Sequence, residues 1–106
     1  DVDSTASVRV AIEEEELQES GSGNGGFDAF MDAIGKILQT RNFVMPALTD
    51  YEVHIPRGGK TDALTECIIT WESDEQSFQT RGVDANQVLA AVKATLRMLN
   101  IMLHSL

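Results

Sequence analysis

Two stretches decide the fold: QESGSGNGGFDAFMDAIGKIL at residues 18–38 and QTRGVDANQVLAAVKATLRML at residues 79–99. They align without a gap. Gln18 meets Gln79, Gly21 meets Gly82, Ala29 meets Ala90, Ala33 meets Ala94 and Leu38 meets Leu99. Lys36 falls opposite Arg97, and Phe27, Met31 and Ile37 fall opposite Val88, Val92 and Met98. Each copy reads as a strand, a glycine turn and a helix. In the first helix Phe27, Phe30, Met31, Ile34, Ile37 and Leu38 share one face at helical spacing. Gly35 inside it costs about 1 kcal/mol against alanine, which points to a close packing contact. The second helix is apolar at Val88, Leu89, Val92, Leu96, Leu99, Met102, Leu103 and Leu106, widened by Ala91, Met98 and Ile101. Asp84 is its expected N-cap.

Strands surround these stretches. Ser7–Glu13 alternates, with Val8, Val10 and Ile12 on one face, and Leu17–Ser22 returns as a hairpin partner. Glu13–Glu16 reads as a solvated turn. The glycines from Gly21 to Gly26 break the strand and open the helix. Arg41–Thr49, with Pro46, is a connection. Tyr51, Val53 and Ile55 then face one way along a strand, followed by a loop at Pro56–Lys60. Leu64–Trp71 is an apolar central strand, Ser73–Gln76 a turn and Ser77–Arg81 a last strand. The reading is an α+β fold of two pseudo-symmetric, strand-rich units, each ending in a helix, with the helices on one face of an antiparallel sheet. The 106 residues suit one domain with a modest core, and polar residues 1–6 are expected to fray.

A net charge of −9 excludes nucleic acid and anionic membrane surfaces as partners. No apolar run approaches the roughly 20 residues that span a bilayer, and the start at Asp1 carries no signal-peptide pattern and suggests a fragment boundary. The single cysteine, Cys67, lies in an apolar run and reads as a reduced core thiol, which points to the cytoplasm. The second helix is too apolar to cover one small sheet, so a dimer is expected.

Few residues suggest chemistry. Gly21, Gly23 and Gly26 spell G-x-G-x-x-G, but the preceding strand is short and acidic and only one more clear helix follows, so a dinucleotide site is disfavoured. Backbone N–H groups at Asn24–Phe27 suit a small carboxylate instead, beside the alternative of a plain turn. Asp62 and Glu66 flank a strand start and read as loop or surface groups. His54 should face solvent or a partner, and His104 lies near the end. Two distant histidines make no metal site, and no nucleophile or metalloprotease motif is present. Composition and spacing name no ligand.

Three segments do carry a resemblance. Gly21-Ser22-Gly23-Asn24-Gly25-Gly26-Phe27-Asp28-Ala29, Leu48-Thr49-Asp50-Tyr51-Glu52-Val53-His54 and Gly58-Gly59-Lys60-Thr61-Asp62-Ala63 resemble the signatures of the C-terminal regulatory domain of 2-isopropylmalate synthases and (R)-citramalate synthases. The resemblance covers about residues 7–103. It implies a single regulatory domain over residues 1–106, without the catalytic barrel of its parent. It implies pairing as a homodimer and binding of an end-product amino acid at the interface, leucine for the first enzyme and isoleucine for the second. It also implies feedback inhibition of the catalytic domain of the parent chain, an acyltransferase that uses acetyl-CoA and a divalent metal. No cofactor and no catalytic residue are implied for the domain itself.

By the same resemblance Asn24, Gly25, Phe27 and Asp28 match the effector loop, Leu48, Tyr51 and Ile55 the apolar ligand strand, and Ala63 a position after the glycine loop. Gly26 stands where many members carry proline. A branched side chain suits Leu48, Tyr51, Ile55 and Phe27, and the effector ammonium suits Asp28 or Asp62. Leucine is the favoured effector. Isoleucine is the alternative, and so is a dimerisation module without an effector site.

Overall fold

The computed structural model describes residues 3–55 and 64–104. Its elements run β1 (Ser4–Ile12), β2 (Glu15–Gly23), α1 (Gly26–Thr40), β3 (Ala47–His54), β4 (Thr65–Ser73), β5 (Gln76–Asp84) and α2 (Gln87–His104). They form two compact units, Asp1–Met45 and Pro46–Leu106. The α+β class and the pair of units each ending in a helix are therefore present. Each unit has an antiparallel sheet of its own, β1-β2 in the first and β3-β4-β5 in the second. The repeat extends beyond the aligned stretches: β1 and β4, and β2 and β5, begin and end at the same repeat positions.

In the first unit β1 and β2 pair from Ser4 opposite Gly23 to Ile12 opposite Glu15. β1 thus starts at Ser4, inside the stretch expected to fray. Val8 is the buried centre of its inner face, while Thr5, Ser7, Arg9 and Ala11 on the alternate face are exposed. The hairpin turns at Glu13 and Glu14, both at positive φ, the pattern of a type I′ turn. Asp74 and Glu75 repeat it in the second unit. Arg41, just past α1, donates to the Ile12 carbonyl at 3.0 Å and to Glu15 at 3.2 Å, tying the hairpin tip to the helix end. That end is a Schellman motif. Asn42 is left-handed, Phe43 N–H donates to Leu38 and Asn42 N–H to Gln39.

The glycine reading needs correction. Gly21 and Gly82 lie inside β2 and β5, not in turns at helix starts. A Cβ on Gly21 would fall 2.3 Å from the Ala29 carbonyl oxygen and 2.4 Å from the Ala33 nitrogen; one on Gly82 would fall 2.0 Å and 2.6 Å from the same atoms of Ala90 and Ala94. These glycines let each helix backbone settle directly on its strand, and the paired alanines, all fully buried, form the seam. The buried face of α1 is Ala29, Phe30, Ala33, Ile34, Ile37 and Leu38, with Phe27 and Met31 at its margin. Gly35 makes no close contact: a Cβ there would meet nothing within 4 Å.

In the second unit Cys67, Ile69 and Trp71 of β4 are fully buried beneath Ala90, Ala91, Ala94 and Met98 of α2. Trp71 Nε1 donates to Thr80 Oγ1 at 2.8 Å, and Thr80 Oγ1 donates to the Ala94 carbonyl at 2.7 Å, so no indole N–H is stranded in the core. β5 runs on to Asp84, which is not the N-cap. Asn86 is: its Oδ1 accepts from Leu89 N–H at 3.1 Å, while Asp84 accepts from Asn86 N–H at 2.8 Å and pairs with Lys93. β5 ends in a register that keeps Asp84 paired to Thr65, so the strand is two residues too long for Asp84 to start the helix.

Candidate functional site

The sequence-derived residues fall into two local groups, one in each unit. In the first, Asn24 and Asp28 are exposed and Gly25 and Phe27 half-buried, all where β2 passes into α1. Gly25 is the N-cap residue, with φ −148 and ψ 174, and offers no side-chain acceptor to the first turn. The same repeat position in the second unit is Asn86, which does cap its helix. One helix start is thus closed by a side chain and the other is bare backbone beside a carboxylate, Asp28. Bare backbone N–H groups at the positive end of a helix dipole suit an anionic group. The Phe27 ring stacks on Phe30 with centroids 6.3 Å apart, adding an apolar wall to the same turn.

In the second unit Leu48 and Tyr51 share a face that simple alternation denies them. A β-bulge at Thr49 shifts the pairing, so Leu48 opposes Trp71 and Tyr51 opposes Ile69. Trp71 and Ile69 both point toward α2, so Leu48 and Tyr51 do as well. The bulge also explains why β3 starts at Ala47, within the stretch read as a connection. Ile55 lies one residue past the strand and is 69% exposed. His54 is exposed, with Nε2 3.1 Å from a Glu52 carboxylate oxygen on the same face. Asp62 and Ala63 lie outside the described residues.

Tyr51 has polar neighbours that the sequence did not signal. Burial and the neighbouring Cys67 push the phenol above its ordinary value of 10.0, while Gln87 pulls it down. Burial likewise pushes the Cys67 thiol up, so it is a weak nucleophile. A groove of about 460 Å³ lies along the second half of α1, between Met31, Gly35, Leu38 and Val44; it includes none of the residues proposed from sequence to bind an effector. Among the described residues no three His, Cys, Asp or Glu side chains gather to hold a metal, and no helix is long and apolar enough to cross a membrane.

The decisive comparison covers nearly the whole chain: the family model described as the LeuA allosteric (dimerisation) domain matches residues 1–103. The chain belongs to this family. It is 36% identical over 96 residues to a 2-isopropylmalate synthase of Aquifex aeolicus, which covers 91% of the chain and 18% of that protein. It is 35% identical over 96 residues, with the same coverage, to a 2-isopropylmalate synthase of Methanocaldococcus jannaschii. It is also 33% identical over 99 residues to a protein of Methanothermobacter thermautotrophicus described as an (R)-citramalate synthase, covering 93% of the chain and 19% of that protein. The chain thus spans about a fifth of the length of these relatives. As a LeuA allosteric domain it is a regulatory module and not the catalytic one, and the α+β architecture with paired units fits that role.

Proposed function

We propose that this LeuA domain senses a branched-chain amino acid, with leucine favoured, at a homodimer interface, and so feedback-inhibits the catalytic domain of a parent 2-isopropylmalate synthase. The observation that carries the reading is the contrast between the two helix starts. Asn86 caps α2 with its own side chain, whereas Gly25 leaves the start of α1 to backbone groups. A ligand carboxylate suits those groups. Asp28 suits the ligand ammonium, and so does Asp62. Phe27 in the first unit, and Leu48, Tyr51 and Ile55 in the second, each offer apolar surface of the kind a branched side chain needs, with Asn24 and Gly25 shaping the loop at the start of α1.

The dimer reading is supported by α2. Val88, Leu89 and Leu96 remain 40%, 50% and 37% exposed, on one side of the helix by their spacing. An apolar stripe of this kind suits a partner surface. The domain acts without cofactor; acetyl-CoA and a divalent metal belong to the parent enzyme, which works in the cytoplasm. Because the relatives include proteins described as (R)-citramalate synthases, an isoleucine-binding domain of such an enzyme is the second reading.

Thermal-shift measurements against a panel of amino acids, run beside sedimentation, test the proposal. A dimer stabilised by leucine or isoleucine and by no charged amino acid is expected. A dimer that no branched amino acid stabilises would show a dimerisation module without an effector site.

A further inference from the structure

The two copies of the repeat differ by one strand. β1 and β2 lead into α1 as β4 and β5 lead into α2, but β4 is also paired to β3, and among the described residues β1 has no such neighbour. Burial records the difference. Cys67 and Trp71 of β4 are fully buried, whereas Ala6 and Val10 at the same repeat positions of β1 are half-buried. On the opposite face Glu66, Ile68 and Thr70 are half-buried and Thr5, Ser7 and Arg9 exposed. β2 and β5, outer strands in both sheets, match in burial at all but two positions. The shortfall therefore lies along the β1 edge.

That edge is open to pairing. Edge strands are ordinarily blunted by bulges, prolines or charges. β3 has the Thr49 bulge and carries Asp50, Glu52 and His54. β1 pairs in unbroken register from Ser4 to Ile12, contains no proline and carries one charge, Arg9. Residues flanking a two-residue hairpin loop form a hydrogen-bonded pair, so Ile12, and by alternation Val10, Val8 and Ala6, direct their backbone groups to β2. Thr5, Ser7, Arg9 and Ala11 direct theirs outward, a template for one more strand.

We propose that the β1 edge is completed by a strand from the segment of the parent chain just ahead of Asp1, antiparallel to β1, in the place that β3 takes on β4. Ten residues separate His54 from Thr65. Three of the equivalent ten precede Ser4 in this chain, so the added strand ends about seven residues ahead of Asp1. The relatives are about five times longer than the matched region, so chain of this kind is available to supply it. Alternate residues of the strand should be apolar, because one face covers Ala6 and Val10. A strand adjacent in sequence also has a far higher effective concentration than one from a second copy. None of this depends on the effector reading.

The test is amide hydrogen exchange, followed by NMR, in the 106-residue chain and in the same chain lengthened by roughly twenty of its own preceding residues. In the 106-residue chain Ala6, Val8 and Val10 should exchange slowly and Ser7, Arg9 and Ala11 fast. In the lengthened chain the latter three should slow at least tenfold, at every protein concentration. Prolines at two positions of the added strand that donate to β1 should restore their fast exchange and leave Val8 protected, which separates pairing from general stabilisation.

Should the lengthened chain fail to fold, exchange mass spectrometry on the Ser4–Ile12 peptide of the full-length parent carries the test, with less deuterium uptake expected than in the 106-residue chain. Unchanged exchange of β1 in the longer chain overturns the proposal. So does slow exchange of Ser7, Arg9 and Ala11 in the 106-residue chain itself: protection that fades on dilution assigns the edge to a second copy, and protection at every concentration shows that the edge is not free.

Discussion

Replacing Gly82 with alanine should force α2 off its sheet. The added Cβ would lie 2.0 Å from the Ala90 carbonyl oxygen and 2.6 Å from the Ala94 nitrogen. Carbon–oxygen contacts settle at about 3.3 Å or beyond, so the helix must retreat by about 1 Å. Both obstructing atoms are backbone, and no side chain can rotate out of the way. A gap of that size forfeits about a quarter to a half of the dispersion energy across the contact, here the face formed by the fully buried Ala90, Ala91, Ala94 and Met98. Overpacking costs about 1–3 kcal/mol, and alanine returns about 0.5–1 kcal/mol of backbone entropy. The net loss is about 1 kcal/mol. Urea denaturation followed by the fluorescence of Trp71, buried in the same unit, reads it directly. With a slope of about 1–2 kcal/mol per molar urea, the midpoint should fall by about 0.5–1 M. An unchanged or higher midpoint would refute the seam argument. Gly35→Ala is the control of opposite sign: nothing stands near its Cβ, and removing glycine from a helix interior should add about 0.8–1 kcal/mol.

Thr80→Val should cost about 1–3 kcal/mol in the same assay, because the buried Trp71 N–H loses its acceptor; a neutral result would remove the bridge from the account. Glu75→Gly should raise the melting temperature through a gain of about 0.5–1 kcal/mol, since Glu75 sits at φ 65 in a two-residue hairpin loop; a lower melting temperature would contradict the turn assignment. The Ser22 N–H holds Asp32 below its ordinary value of 3.8, and the Asn86 N–H, with Lys93, does the same for Asp84. Folded values below unfolded ones stabilise the fold above about pH 4, and this contribution is lost as pH falls through the depressed range. An acid-unfolding midpoint that moves to higher pH in Asp32→Asn and Asp84→Asn is the expected result, and midpoints like the wild type's would show that the two carboxylates do not act this way. Tyr51 and Cys67 give the opposite sign. Their raised folded values mean stability is complete at neutral pH and declines as pH rises through the alkaline range; in Tyr51→Phe that decline should be shallower.

Much of the fold was legible because it is repeated. The matches of Gly21 with Gly82 and of the paired alanines recur for a packing reason, and they identified both helices and the strands before them. What glycine does there was not legible. A glycine run normally ends a strand, and only the close approach of a helix backbone shows that Gly21 and Gly82 belong inside one. Ala29, Ala33, Ala90 and Ala94 form the seam, although apolar periodicity gives greater weight to larger residues such as Phe27 and Met31. The Thr49 bulge inverted the parity of Leu48, and no residue type announces a bulge of that kind. Asp84 and Asn86 are both good N-caps by composition, and the length of β5 decides between them.

The candidate residues were legible only by likeness to a family. Those of the first unit and those of the second lie far apart in sequence, and no spacing rule relates Asn24 to Tyr51. The bare cap at Gly25 becomes meaningful once the repeat sets it beside Asn86. The register that sets Tyr51 opposite Ile69 and the residue at which α2 begins are not specified by the sequence.

The most direct test of the account is calorimetric titration of leucine and isoleucine, separately, into the 106-residue chain. Saturable heat is predicted for leucine, with weaker binding of isoleucine, and a loss of at least tenfold in leucine affinity in Tyr51→Ala. No saturable heat from either amino acid would contradict the claim that this domain is an amino-acid sensor.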